Sequence, residues 1–181
     1  MTQRQASLPT TSGTLDEYIN RVASGDTRAL ESLYRATAPG VYAYALSVLK
    51  NSYDAEDVLQ ETFLCIHKSA GSYRSQEKPT AWIFTIAKNL CMKHLAEQQR
   101  YSKTPLEDYE LFHGKDESVA SEDKLVIEAC MKLLTDDERQ IVVLHAVSGF
   151  KFREIGKMMD LPLSTVLSKY HRSMKKMKAN L

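Results

Sequence analysis

Helical periodicity runs through most of this 181-residue chain and stops once, between residues 101 and 121. On either side apolar residues recur at the three- and four-residue spacing of an amphipathic helix. Val58, Leu59, Phe63 and Ile66 follow that spacing, and so do Trp82, Ile83, Ile86, Leu90 and Leu95. No Val/Ile/Thr-rich alternation suggests a strand, and seven Gly and five Pro leave room for few turns. Inside the break large apolar groups are sparse, and seven acids fall between Glu107 and Asp123. Such a segment buries too little to fold and reads as a flexible acidic linker. The fold expected is all-α, with two small helical domains at 15–100 and 122–181, a linker at 101–121 and a disordered leader at 1–14. Few contacts should cross between the halves, and each should fold as a separate piece.

Local signals place the helices. Gly25 ends a first short helix, and Asp26 can cap a second. Pro39 is read as opening a third, which Asn51 and Ser52 break. An acidic helix follows from about residue 54 to 70, then the polar loop GSYRSQEK. Pro79 suits the first position of a long helix over 79–100. In the second half EDKLVIEACMKLL reads as a helix. Thr135 with Glu138 makes a capping box, and Gly149 is a stop. A short helix, a turn at Asp160–Pro162 and a longer basic helix then have the form of a helix-turn-helix. Ile155, Met158 and Met159 would pack on Val166 and Tyr170, with Gly156 allowing a close crossing.

The net charge of +1 conceals a strong asymmetry. Asp54, Glu56, Asp57 and Glu61 crowd the front of one helix, more acid than the helix dipole calls for. The last fifteen residues carry five Lys or Arg and no acid. In the final helix Ser164, Thr165, Leu167, Ser168 and Lys169 project from the front half, and Arg172 continues the polar side. A recognition helix needs short polar groups for base edges and cations for phosphates. A solvated cationic helix end is the bland alternative, and the helix-turn-helix ahead of it favours the functional reading. Between Tyr73 and Arg100, aromatics mix with Arg74, Lys88, Asn89 and Lys93, the ingredients for holding single-stranded DNA. Core aromatics beneath a polar face are the alternative there.

Catalysis finds no support. The acids near Asp57 lack a partner His or second acidic motif, and there is no HExxH spacing, phosphate loop or nucleophile elbow. Cys65, Cys91 and Cys130 stand alone, as buried thiols in a reducing cytoplasm would, and no metal or other cofactor is expected. No stretch approaches the roughly eighteen apolar residues that span a bilayer, so no direct membrane insertion is expected.

Taken in order, SYDAEDVLQETFLCIHKS, AWIFTIAKNLCMKHL, the acidic linker and LTDDERQIVVLHAVSGFKFREIGKMMDLPLSTVLSKYHRSMKKM resemble an extracytoplasmic-function sigma factor of bacterial RNA polymerase. The resemblance implies sigma region 2 over residues 15–100 and region 4 over 122–178. It implies that Asp54, Asp57, Gln60 and Glu61 dock on the clamp helices of the polymerase's largest subunit. Tyr73, Arg74, Lys88, Asn89 and Lys93 would open and hold the promoter −10 element. Ser164, Thr165, Leu167, Ser168, Lys169 and Arg172 would read the −35 element, with region 4 seated on the polymerase flap. Promoter DNA and an anti-sigma factor are the further partners implied, in the cytoplasm. Arg153, Pro162 and Leu167 depart from residues common in the family, which bears on −35 preference. Two rival readings are a stand-alone helix-turn-helix regulator, which has no use for the acidic helix, and a sigma-like decoy that titrates an anti-sigma factor.

Overall fold

The computed structural model describes residues 12–75, 78–101 and 131–179. The described residues form seven α-helices and no strand. In the first half α1 spans Ser12–Ala23, α2 Thr27–Leu49, α3 Ser52–Ser69 and α4 Pro79–Tyr101, with a single 3₁₀ turn at Ala70–Ser72. In the second, α5 spans Asp136–Val142 and runs into a π-helical turn at Val143–Val147; α6 spans Phe152–Met159 and α7 Leu163–Lys178. The leader, the linker, Cys130 and most of the helix read at EDKLVIEACMKLL lie outside the described residues.

Helix boundaries follow local chemistry. The Asp26 carboxylate accepts from the N–H groups of Arg28 and Ala29, and Gly25 takes a positive φ of 86° before it. Asn51 caps α3 through the N–H groups of Tyr53 and Asp54. Thr135 and Glu138 form the reciprocal capping box of α5, and Gly149 adopts the left-handed conformation after the π turn. The break expected at Pro39 does not occur: α2 continues through it. A proline inside a helix costs about 3 kcal/mol for its missing N–H and its clash with the preceding turn. Pro39 lies on the exposed side, while Ala38, Val41, Tyr44, Ala45 and Leu46 beside it are buried. That burial favours one unbroken helix.

Leu15 and Ile19 of α1, Leu33 and Val41 of α2, Val58 and Ile66 of α3, and Ile83, Phe84 and Ala87 of α4 fill the first core. Cys91 joins them, and burial pushes its thiol up to about 12, which suits an inert structural side chain. In the second half Ile141, Leu144, Ile155 and Val166 are fully buried, and Met158, Met159 and Tyr170 pack around them as expected. A Cβ on Gly156 would lie 2.7 Å from the Leu161 carbonyl oxygen, so only glycine permits this crossing.

The two halves pack together, contrary to the sparse contact expected. The Phe84 ring meets Phe150 edge-on at 5.0 Å. Lys50 pairs with Asp136 at 2.7 Å, and the Lys88 ammonium donates to the Met158 carbonyl. Gly40 of α2 faces Ser148. Sequence composition suggested a tether between independent pieces, but apolar side chains left over on each half find one another.

Candidate nucleic-acid and docking interfaces

The acidic helix presents two faces. Asp54 accepts a hydrogen bond from the Gln98 amide at 2.5 Å, and Glu61 lies 4.0 Å from His94, so both lean toward α4. Asp57 and Gln60 stand free in solvent. Positions 53, 57, 60 and 64 fall on successive turns, and two of them are large apolar groups left outside: Tyr53 is 74% and Leu64 57% exposed. Sequence reasoning missed this pair. The signal was available, because both interrupt the polar side of a helix whose apolar stripe is already complete with Val58, Phe63 and Ile66.

Around the loop after α3, the sequence-predicted residues separate. Tyr73 is buried: its hydroxyl donates to Asp16 and its ring lies 4.8 Å from Trp82. Burial and the Asp16 carboxylate push its phenol far above the usual range, so it stays a neutral donor. That ring is not available to stack on a base, which corrects the role expected of it. Arg74 is exposed, with a hydrogen bond to the Tyr73 carbonyl at 3.3 Å. Asn89 and Lys93, one turn apart on α4, both face solvent. Lys88 instead turns to Met158 of the other half.

On α7, Ser164, Ser168 and Arg172 are exposed at four-residue spacing, with Lys175 continuing the row. Ser168 donates to the Thr165 carbonyl at 3.0 Å, and Arg172 Nε to the Ser168 carbonyl at 3.3 Å, bonds that hold the row in order. Thr165 and Leu167 are half-buried beside it, and Val166 and Ser173 face inward. Lys169, expected among the phosphate contacts, ion-pairs with Asp137 at 3.0 Å and is largely covered. Pro162 stands at the N-cap and supplies no side-chain bond there. Arg153 and Lys157 of α6 border the open depression ahead of α7, exposed and without an ion-pair partner among the described residues. Their four-residue spacing was visible in the sequence.

Beneath α7, Lys176 pairs with the buried Glu138 at 2.6 Å. Burial by itself would raise that carboxyl; Lys176 and Thr135 outweigh it and hold the carboxyl below its ordinary value. Among the described residues no group of His, Cys, Asp and Glu could hold a metal ion, and no helix is long and apolar enough to cross a membrane.

Two family matches cover most of this architecture: Sigma-70 region 2 over residues 33–101 and Sigma-70, region 4 over residues 124–177. The chain is 26% identical to the ECF RNA polymerase sigma factor SigM of Mycobacterium tuberculosis, across 83% of this chain and 76% of that protein. It is 28% identical to the RNA polymerase sigma factor CarQ of Myxococcus xanthus, across 88% of this chain and 93% of that one. Among solved structures, the sigma factor RpoE of Bartonella quintana, crystallised with the anti-sigma factor NepR, superposes with a TM-score of 0.66 at 19% identity. That match covers 83% of this chain and 94% of RpoE.

Proposed function

The chain belongs to the sigma-70 family as an extracytoplasmic-function sigma factor, an alternative sigma factor of bacterial RNA polymerase, and from that premise we propose how its surfaces divide the work. The exposed face of α3 docks on the clamp helices of the largest subunit. Asp57 and Gln60 supply its polar contacts, Tyr53 and Leu64 its apolar ends, and Asp54 and Glu61 a flanking rim. A docking face combines desolvated apolar anchors with charge that steers approach. The helix α4 face with Asn89 and Lys93, together with Arg74, grips the opened −10 strand. The row Ser164, Ser168, Arg172 and Lys175 enters the major groove at −35, with Thr165 and Leu167 at its edge and Lys169 held in reserve by Asp137. Region 4 also sits on the polymerase flap.

The observation that carries this reading is the ordered pair of family matches on two differently charged surfaces. An acidic face for a protein partner lies in one half, and a cationic row on a helix-turn-helix in the other. The chain itself performs no chemistry in this scheme and acts in the cytoplasm, where polymerase is. An anti-sigma factor that holds the protein inactive, as NepR partners RpoE, completes it. Run-off transcription with core polymerase over a promoter library tests the reading. The expected result is a set of transcripts sharing −35 and −10 elements. DNA binding without core, and no transcripts with it, would instead favour a stand-alone regulator.

A further inference from the structure

We propose that Asp137 is a positioning residue for duplex binding: it holds the Lys169 ammonium away from the phosphate backbone and so limits the affinity of region 4 for DNA of any sequence. This role rests on the placement of α7 in the major groove. Lys169 Nζ lies 3.0 Å from Asp137 Oδ2, with the two side chains 22% and 48% exposed. Lys169 follows Ser168 and stands three residues before Arg172, so its stem leaves α7 at the edge of the exposed row. Released from Asp137, that flexible stem carries a point charge to the flank of the row, where the DNA backbone runs.

The first turn of α5 keeps the acid in place. Its consecutive acids hold different cations: Asp136 pairs with Lys50 and Arg139, Asp137 with Lys169, and Glu138 with Lys176. The capping box of Thr135 and Glu138 fixes the turn from which Asp137 projects. The pairs differ in kind. Glu138 is 4% exposed, so its bond to Lys176 belongs to the interior of region 4. Asp137 is open to solvent on one side, which makes its pair with Lys169 weak and exchangeable for a phosphate. Along α7 the cations therefore sort by face. Lys169 and Lys176 turn toward α5, whereas Arg172 and Lys175 are exposed with no ion-pair partner among the described residues. Each cation that reaches a phosphate releases counterions and strengthens binding to every sequence alike. Withholding Lys169 removes such a contact and leaves base choice to Ser164, Thr165 and Ser168. Non-specific sites in a genome vastly outnumber promoters, so a lower sequence-independent affinity frees the protein to find them.

The test uses the full chain at low ionic strength, with fluorescence anisotropy on a random-sequence duplex followed by a salt titration. Asp137→Asn keeps the size of the side chain and removes its charge. It is expected to tighten binding about fivefold and to steepen the salt slope by about one. Lys169→Ala alone should change affinity by less than about twofold, because the charge it removes is already paired. Added to Asp137→Asn, it should return affinity and slope to the wild-type values. An acid that only repelled DNA would give the same gain with or without Lys169. An equal gain in the Lys169→Ala background therefore overturns the positioning role. So does an Asp137→Asn protein that keeps its helical circular dichroism and binds as the wild type does, and Asp137→Ser serves if that variant fails to fold. Arg172→Ala separates this role from the placement of α7. Weaker binding with a flatter slope keeps α7 on the duplex and leaves the Asp137 variants to decide the role by themselves. Unchanged binding and slope in Arg172→Ala take α7 off the duplex, which overturns both.

Discussion

Tyr73 illustrates what one residue type cannot disclose by itself. An aromatic in a polar loop next to cations reads as a base-stacking ring, yet its hydroxyl is bound to Asp16, 57 positions earlier in the chain. Nothing local to the loop marks that partner, and only the packing of α1 brings the carboxylate there. Tyr73 is therefore an anchor for the start of the loop, and Arg74 beside it is exposed, which leaves it as the loop residue proposed to meet DNA. The two roles separate by mutation. Tyr73→Phe leaves Asp16 without its donor and should lower stability by about 1 kcal/mol, seen in thermal unfolding. Arg74→Ala should leave the melting temperature where it was and slow open-complex formation on duplex promoters more than on pre-melted ones. If Tyr73→Phe unfolds like the wild type, the anchor role is wrong. Gly156 is a second case, legible in advance as a close-crossing residue. A methyl group there meets the Leu161 carbonyl at 2.7 Å, and backbone cannot swing aside as a side chain can. Gly156→Ala should cost region 4 about 2 kcal/mol, with chemical denaturation as the measure.

Among the elements, those whose ends are set locally were readable and those set by distant packing were not. The caps at Asp26 and Thr135–Glu138 depend on residues two or three positions apart, so their chemistry shows in the sequence. The π turn at Val143–Val147 and the passage of α2 through Pro39 depend on what those segments pack against. On α3 the acids were readable as a group, but the split between inward-leaning Asp54 and Glu61 and outward Asp57 and Gln60 needed the position of α4. That split makes Asp57 the better site for charge reversal. Asp57→Lys should weaken pull-down of core polymerase while shifting folding stability by no more than about 0.5 kcal/mol, as for an ordinary surface change. Tyr53→Ala should weaken it too, and an unchanged pull-down for both would remove α3 from the interface. Helix α5 gives a pH test. Glu138 has a folded-state carboxyl held below its ordinary 4.5, so its contribution is present above that value and lost as pH falls through the lower one. Glu138→Gln should melt below the wild type at neutral pH, and the gap should close as acid protonates the wild-type carboxyl as well.

At the scale of the molecule, the acidic segment 101–121 joins two halves that also bind one another directly. Composition points to a boundary there, because a polar stretch between two periodic ones is a local signal. It could not reveal the seam, because Phe84 and Phe150 each look like core residues of their own half. Both descriptions lead to the same experiment with different outcomes. A protease that cuts within 101–121 severs the tether and leaves the seam. Independent halves would then elute separately from gel filtration. Halves held by the aromatic contact and the Lys50–Asp136 pair should co-elute after the cut at protein concentrations in the micromolar range. Salt should matter little to this association, since a half-exposed ion pair contributes at most about 1 kcal/mol and the apolar contact is not screened. Acid acts on the same pair. Burial would raise the Asp136 carboxyl, but Lys50 and Arg139 hold it below its ordinary 3.8, so the cross-seam pair survives to low pH and is lost only as that carboxyl finally protonates. Co-elution at neutral pH, in low salt and in high salt alike, is the expected pattern. Separation at neutral pH directly after cutting would mean that the linker, and not the seam, keeps the halves together.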